Sequence, residues 1–136
     1  MSDEQSLRST ELPDEIGERL RTPFDTVLSD PNRLRIQAAL HGLAPSGSIR
    51  FTALVRALHL SDGNLSSHLS ALCEVGYATS SSTFTGKRRT RWYSATAAGR
   101  EAFDAHVDAL QLIVDSSRMA PPDNSSEDAA KNADGL

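Results

Sequence analysis

Apolar residues recur along the chain at spacings that change several times, and those changes divide it into elements. Residues 1–12 show no sustained period and predict a flexible arm. A short helix is predicted over Asp14–Leu20. A second should start where Thr22 as N-cap, Pro23 at the first helical position and Asp25 at the third give a start signal, with Phe24, Val27 and Leu28 as its apolar side. The signal repeats at Asp30-Pro31, followed by Leu34, Ile36, Ala38 and Leu40 and a stop at His41-Gly42. After the loop Ala44–Gly47, Ser48–Phe51 alternates as one short strand would, and Thr52 is expected to cap a helix carrying Leu54, Val55 and Leu58. A turn at His59–Ser61 leads to a helix over about 62–75 with Leu65, Leu69, Leu72 and Cys73 at helical spacing, closed by Gly76.

Beyond Gly76 the period becomes two. Tyr77–Phe84 and Arg91–Ser94 read as the strands of a hairpin whose tip, Thr85–Thr90, is basic, although Ser80-Ser81-Ser82 favours turns over ladders. Thr96 is placed to cap a long helix to about Arg118. Its stripe of Phe103, His106, Val107, Leu110 and Val114 exceeds what a small domain needs for its own cover and suggests self-association. The polar, proline-broken residues 119–136 predict a disordered tail, which leaves one domain over 13–118. The fold class expected is mainly α with a small β-hairpin (α+β), two short helices joined by a tight turn at its centre.

Charge sharpens this division. The net charge of −4 hides a basic middle: residues 31–100 hold nine Lys or Arg against only Asp62 and Glu74, or +7, whereas residues 1–30 carry −5 and residues 101–136 carry −6. A local field of that kind points to a polyanion, with the acidic ends held away from it or used for self-association. The single cysteine, Cys73, allows no internal disulfide and fits a reduced cytoplasm. The N-terminal stretch lacks the basic-then-apolar order of an export signal, and no apolar run approaches the roughly 18 residues of a membrane span.

The order of elements and four segments resemble the winged-helix regulators of the MarR and ArsR type. These segments are Pro31-Asn32-Arg33-Leu34-Arg35-Ile36, Phe51-Thr52-x-Leu54, Leu65-Ser66-Ser67-His68-Leu69-x-x-Leu72-x-x-x-Gly76-Tyr77, and Arg91-Trp92-Tyr93-x-x-Thr96-x-x-Gly99-Arg100, together covering about residues 22–112. The resemblance implies a winged helix-turn-helix with added N- and C-terminal helices, acting as a dimeric, sequence-specific regulator of transcription, expected to repress. Ala95 and Ala97 stand where such proteins often carry Leu and Pro, so a less firmly pinned start of the last helix is expected. The paired metal-binding cysteines of some ArsR-type sensors are absent.

Candidate contacts with double-stranded DNA follow. With Leu65, Leu69 and Leu72 turned to the core, the 62–75 helix presents Gly63, Asn64, Ser67, Ser70 and Ala71 outward and Ser66 and His68 on its flanks. These short, mostly polar side chains suit close approach to base edges in a major groove, a solvated polar face being the plain alternative. Lys87, Arg88, Arg89 and Arg91 on the hairpin are candidates for phosphates or a minor groove. Arg33, Arg35, Arg50 and Arg56 are possible further phosphate contacts, with surface solvation equally open for each. Trp92 and Tyr93 are expected to pack the hairpin against the helices. His68 beside Ser66, Ser67 and Asp62 does not make a hydrolytic site, because neighbours on one helix point in different directions. No catalytic, metal or cofactor motif stands out, so neither an enzyme nor a cofactor is expected, and no residue argues for a small-molecule effector. The alternative to DNA is an acidic protein partner on the same surface.

Overall fold

The computed structural model describes residues 11–119; the expected arm before residue 11 and the expected tail after Met119 lie outside the described residues. In chain order the elements are α1 (Asp14–Leu20), α2 (Pro31–His41), β1 (Ile49–Arg50), α3 (Phe51–Leu58), α4 (Asp62–Glu74), β2 (Ala78–Thr85), β3 (Arg88–Ala95) and α5 (Ala97–Met119). The described residues divide into a unit over Pro23–Ala109 and a second holding residues 11–22 and 110–119.

In the Pro23–Ala109 unit, α2, α3 and α4 enclose one core. Leu28, Ile36, Leu40, Leu54, Leu65, Leu69 and Leu72 are buried there with Phe51, Ala78, Tyr93 and Ala95. Each such aliphatic side chain contributes roughly 1.5–3 kcal/mol by leaving water. The antiparallel sheet runs β1-β3-β2, with β1 pairing Ile49 to Tyr93 and Arg50 to Trp92. The fold is α+β, as the periodicities imply, and has the winged-helix arrangement that the resemblance implies.

Three local expectations are corrected. No helix follows Thr22-Pro23: residues 26–29 form a single turn. Asp25, not Thr22, caps it, its Oδ1 accepting from the amides of Val27 and Leu28 at 2.9 Å each. Pro31 disfavours helical backbone at the residue before it, and Asp30 is extended (φ −72°, ψ 125°), so that turn has nowhere to grow. Phe51 opens α3 instead of ending a strand, and the N-cap is Arg50 with no side-chain hydrogen bond, not Thr52. The strand expected over Tyr77–Phe84 forms in spite of Ser80–Ser82, which lie within an eight-residue strand paired from Ala78↔Ala95 to Thr85↔Arg88, but it and its partner extend further into the expected tip. The turn is therefore only Gly86-Lys87, with Gly86 at φ 64° as a two-residue hairpin requires.

The start of α5 is firmly held, contrary to the expectation from Ala95 and Ala97. Thr96 Oγ1 accepts from the Gly99 amide (3.0 Å) and donates to the Gly76 carbonyl, while the Thr96 amide donates to the Tyr77 carbonyl (3.1 Å). Buried Gln37 on α2 donates from Nε2 to that same Tyr77 carbonyl (3.2 Å). Arg100 donates to the carbonyls of His41 (3.0 Å), Leu43 (3.3 Å) and Ala44 (3.4 Å), the orphan acceptors at and beyond the end of α2. Thr96-x-x-Gly99-Arg100 is thus a clasp joining α2, the start of β2 and α5.

A second clasp lies at Asp25. Its Oδ2 accepts from the Tyr77 hydroxyl, and its amide donates to Nδ1 of buried His106 (3.1 Å). Burial works to raise the Asp25 carboxyl, but the Tyr77 hydroxyl, the Leu28 and Val27 amides and nearby His106 outweigh it, leaving the group below its ordinary value. The bond to Asp25, helped by burial, pushes Tyr77 up to about 12. A raised folded value stabilises below the unfolded value near 10 and loses that contribution as pH climbs through about 12. The stability advantage of the native protein over Tyr77→Phe, read from urea unfolding, is therefore expected to shrink between pH 10 and 12. An advantage constant across that range would contradict this role.

In the other unit, α1 buries Ile16, and Arg19 donates to the Met119 sulfur at 3.0 Å. Ser116 on α5 is buried and donates to the Leu112 carbonyl. No described helix is long and apolar enough to cross a membrane.

Candidate nucleic-acid interface

Helix α4 starts cleanly because Ser61, extended at ψ 155°, accepts the Asn64 amide on its hydroxyl (3.1 Å). It ends with Gly76 at φ 84° and the Tyr77 amide on the Leu72 carbonyl (2.9 Å), a Schellman closure. Between these ends Leu65, Leu69 and Leu72 are buried, and Gly63, Asn64, Ser67 and Ser70 form an exposed row. Ser66 and His68 are half-buried on the flanks. The Arg33 amide, and after it the Asn32 amide, hold the Asp30 carboxyl below its ordinary value against the opposing effect of burial. Burial pushes the Cys73 thiol up, away from the reactive thiolate form.

The hairpin and the start of α3 together wall a groove of about 480 Å³ lined by Arg50, Phe51, Thr52, Arg56, Arg88, Arg89, Thr90 and Arg91. Strand alternation places Arg89, Arg91 and Tyr93 on one face of β3, with Tyr93 buried. The Arg91 guanidinium is stacked on the buried Phe51 ring, 4.3 Å from its centroid, which fixes it at the groove wall. Arg50 sits 5.6 Å from the centroid of Trp92, its partner across β1 and β3. Arg89 donates from Nε to Ser82 (3.0 Å) and Trp92 donates to Thr83 (2.8 Å).

None of these five arginines forms an ion pair with a described carboxylate; the salt bridge among the described residues is His41–Asp104, at 3.2 Å. Five guanidinium groups gathered without acids repel one another and favour an anion, and each offers the planar fork that fits a phosphate. The first-turn amides of α3, which have no side-chain cap, add donors at the same wall.

The remaining candidates are scattered. Lys87 is exposed at the turn outside the groove lining. Arg35 is exposed on α2 and donates to Asn32 (3.1 Å), while Arg33 is half-buried with its Nε unpartnered. On α5, Phe103 packs on His41 with ring centroids 4.5 Å apart and against the core, and His106 is buried edge-on to Phe24 at 5.5 Å. These two serve packing within the chain. Val107 and Val114 are exposed, and Leu110 is half-buried. Among the described residues no cluster of His, Cys, Asp or Glu has the arrangement of a metal site.

The periodicity of the sequence places the α4 row correctly but does not reveal the groove, whose two walls are far apart in the chain. Phe51 and the clasp residues Tyr77, Gly99 and Arg100 carry no signal of their roles beyond their place in the quoted segments, and Gln37, outside them, carries none at all.

Residues 34–114 match the winged helix DNA-binding domain family, a match that takes in the helix-turn-helix, the hairpin and most of α5. The chain belongs to that family. Solved structures of similar fold include a transcriptional regulator homologue from Pyrococcus horikoshii OT3, with a TM-score of 0.61 and 24% identity over 76% of this chain and 96% of that one. A mutant of MepR from a multidrug-resistant S. aureus clinical isolate gives a TM-score of 0.55 at 13% identity, over 90% of this chain and 89% of that one. Disulfide-formed AbfR gives 0.51 at 16% identity, over 88% and 75%. No curated protein sequence matches significantly. The winged-helix part of the resemblance carried by the four sequence segments is borne out in fold and family, and β2 and β3 form the hairpin of this winged helix DNA-binding domain.

Proposed function

We propose that the protein regulates transcription by binding duplex DNA as a homodimer, with the exposed row of α4 in the major groove and the arginine groove at the wing on the phosphate backbone. The observation that carries this is the gathering of Arg50, Arg56, Arg88, Arg89 and Arg91 around one groove with no carboxylate among its lining residues. Backbone contacts of that kind supply affinity and register, while sequence is read by base-edge contacts. On α4, Asn64 has the amide geometry for a bidentate bond to adenine, and Ser67 and Ser70 offer hydroxyls that donate or accept. Repression would follow from occupancy of a site that polymerase needs.

Two-fold symmetry would match half-sites about one helical turn apart. Val107 and Val114, exposed on α5, are the apolar positions offered to a second copy. Sedimentation as a single chain at micromolar concentration would contradict the dimer.

The test of base reading is a selection of bound sequences from random duplexes with wild type and with Asn64→Ala. The wild type is expected to enrich one motif. The variant should lose preference at one position, at a cost of about 1–3 kcal/mol there. Enrichment of the same motif by both proteins would contradict the role given to α4.

A further inference from the structure

Phe84 is the most exposed of the large apolar side chains described, at 67%, and it stands at the distal end of the wing. It pairs across the ladder with Arg89, so alternation puts it on the face that carries Ser82, Arg89 and Arg91. Both arginines lean away from the ring. Arg89 is tied back to Ser82, and Arg91 is stacked on Phe51 at the base of the wing. Beyond Phe84 on β2 only Thr85 precedes the turn at Gly86-Lys87. An uncovered benzyl group costs solvation, and threonine, the type on either side of it, would hold the strand as well. The surroundings also specify a partner: Lys87, Arg88, Arg89 and Arg91 lie within seven positions of the ring, and residues 75–100 contain no Asp or Glu.

We propose that Phe84 is a DNA-contacting residue, its ring packing against sugar and base edges in a minor groove while the neighbouring arginines hold the phosphates on either side. This rests on the duplex-binding function proposed above and adds to it an apolar contact at the wing tip. Apolar wedges of this kind favour steps that unstack easily, so the ring contributes a preference for flexible pyrimidine–purine steps. Its share of the affinity is independent of salt, unlike that of the arginines, because no counterion is released by burying a ring.

The experiment is a salt titration of duplex binding by the full chain, comparing wild type, Phe84→Thr, Phe84→Leu and Arg89→Gln. Phe84→Thr is expected to weaken binding about tenfold at every salt concentration, leaving the slope of log K against log salt unchanged. Phe84→Leu, which restores an apolar side chain, should recover most of the loss. Arg89→Gln should instead make the slope shallower by about 0.9. Equal binding by wild type and Phe84→Thr would overturn the proposal while leaving duplex binding intact. So would a change in slope for Phe84→Thr, or a change in its sedimentation with DNA binding untouched, which would mark the ring as a protein contact. Failure of the wild type to bind any duplex at low salt would contradict the function itself and take this proposal with it.

Discussion

Replacing Arg50, Arg56, Arg88 and Arg89 together with Gln is expected to weaken duplex binding by on the order of 100-fold to 1,000-fold near 0.1 M salt. Each arginine placed on a phosphate releases about 0.9 of a counterion, so the slope of log K against log salt should become shallower by roughly 3 to 4 units. The same substitutions should leave the fold untouched. All four side chains are exposed, and none pairs with a described carboxylate. Their removal relieves mutual repulsion, so the melting temperature should hold or rise. Arg91 is left in place because its stacking on Phe51 ties it to the core. Arg35→Gln is the matched control: an exposed arginine on α2, outside the groove, whose loss should change binding little. Unaltered binding by the fourfold variant would show that the groove is not where DNA lies.

Gly99→Ala is the substitution with the largest expected effect on stability. A Cβ at this position would lie 2.0 Å from the Tyr77 carbonyl oxygen, 2.8 Å from its carbon and 2.6 Å from Gln37 Nε2. The first two atoms are backbone and cannot swing aside. Either α5 or the start of β2 must move, and such a shift strains the bonds that the Tyr77 carbonyl receives from Thr96 and Gln37. Overpacking alone costs about 1–3 kcal/mol, and a buried polar group left unpaired costs about as much again. A loss of about 3 kcal/mol or more is expected in urea unfolding, a large share of the roughly 5–15 kcal/mol of a typical domain. Wild-type stability in Gly99→Ala would show that the clasp tolerates more separation than its geometry allows.

The parts of the fold that follow a single local rule are readable from sequence. Asp30-Pro31 gives the start of α2, and the three-to-four spacing of Leu65, Leu69 and Leu72 gives both α4 and its exposed row. Errors arise where a local rule meets a stronger neighbour. Thr22-Pro23 has every mark of a helix start, yet a second proline eight residues later limits that segment to one turn, capped by Asp25. The strand over Tyr77–Phe84, by contrast, is read correctly although its serines disfavour a strand in isolation, because continuous pairing with Arg91–Tyr93 overrides them.

The site is less readable because it is a product of topology. Arg50 and Arg56 are separated from Arg88–Arg91 by more than 30 positions. Only the pairing of Ile49 with Tyr93 and Arg50 with Trp92 brings them to one groove. A two-residue strand such as β1 signals its existence by alternation but not its partner. The α5 stripe shows the opposite failure, since helical spacing groups Phe103 and His106 with Val107 and Val114 although the first two are consumed by His41, Phe24 and Asp25. Periodicity identifies apolar positions without saying whether the cover comes from the same chain.

The most direct measurement is a titration of the amide NMR spectrum with a duplex that the protein selects. If α4 and the wing address one duplex, the largest shifts should fall together on Gly63–Ser70 and on Phe84–Arg91, saturating at one ratio of DNA to protein, with the loop at Ala44–Gly47 little affected. Shifts confined to one of the two segments, or two sets that saturate independently, would contradict the shared surface on which the account depends.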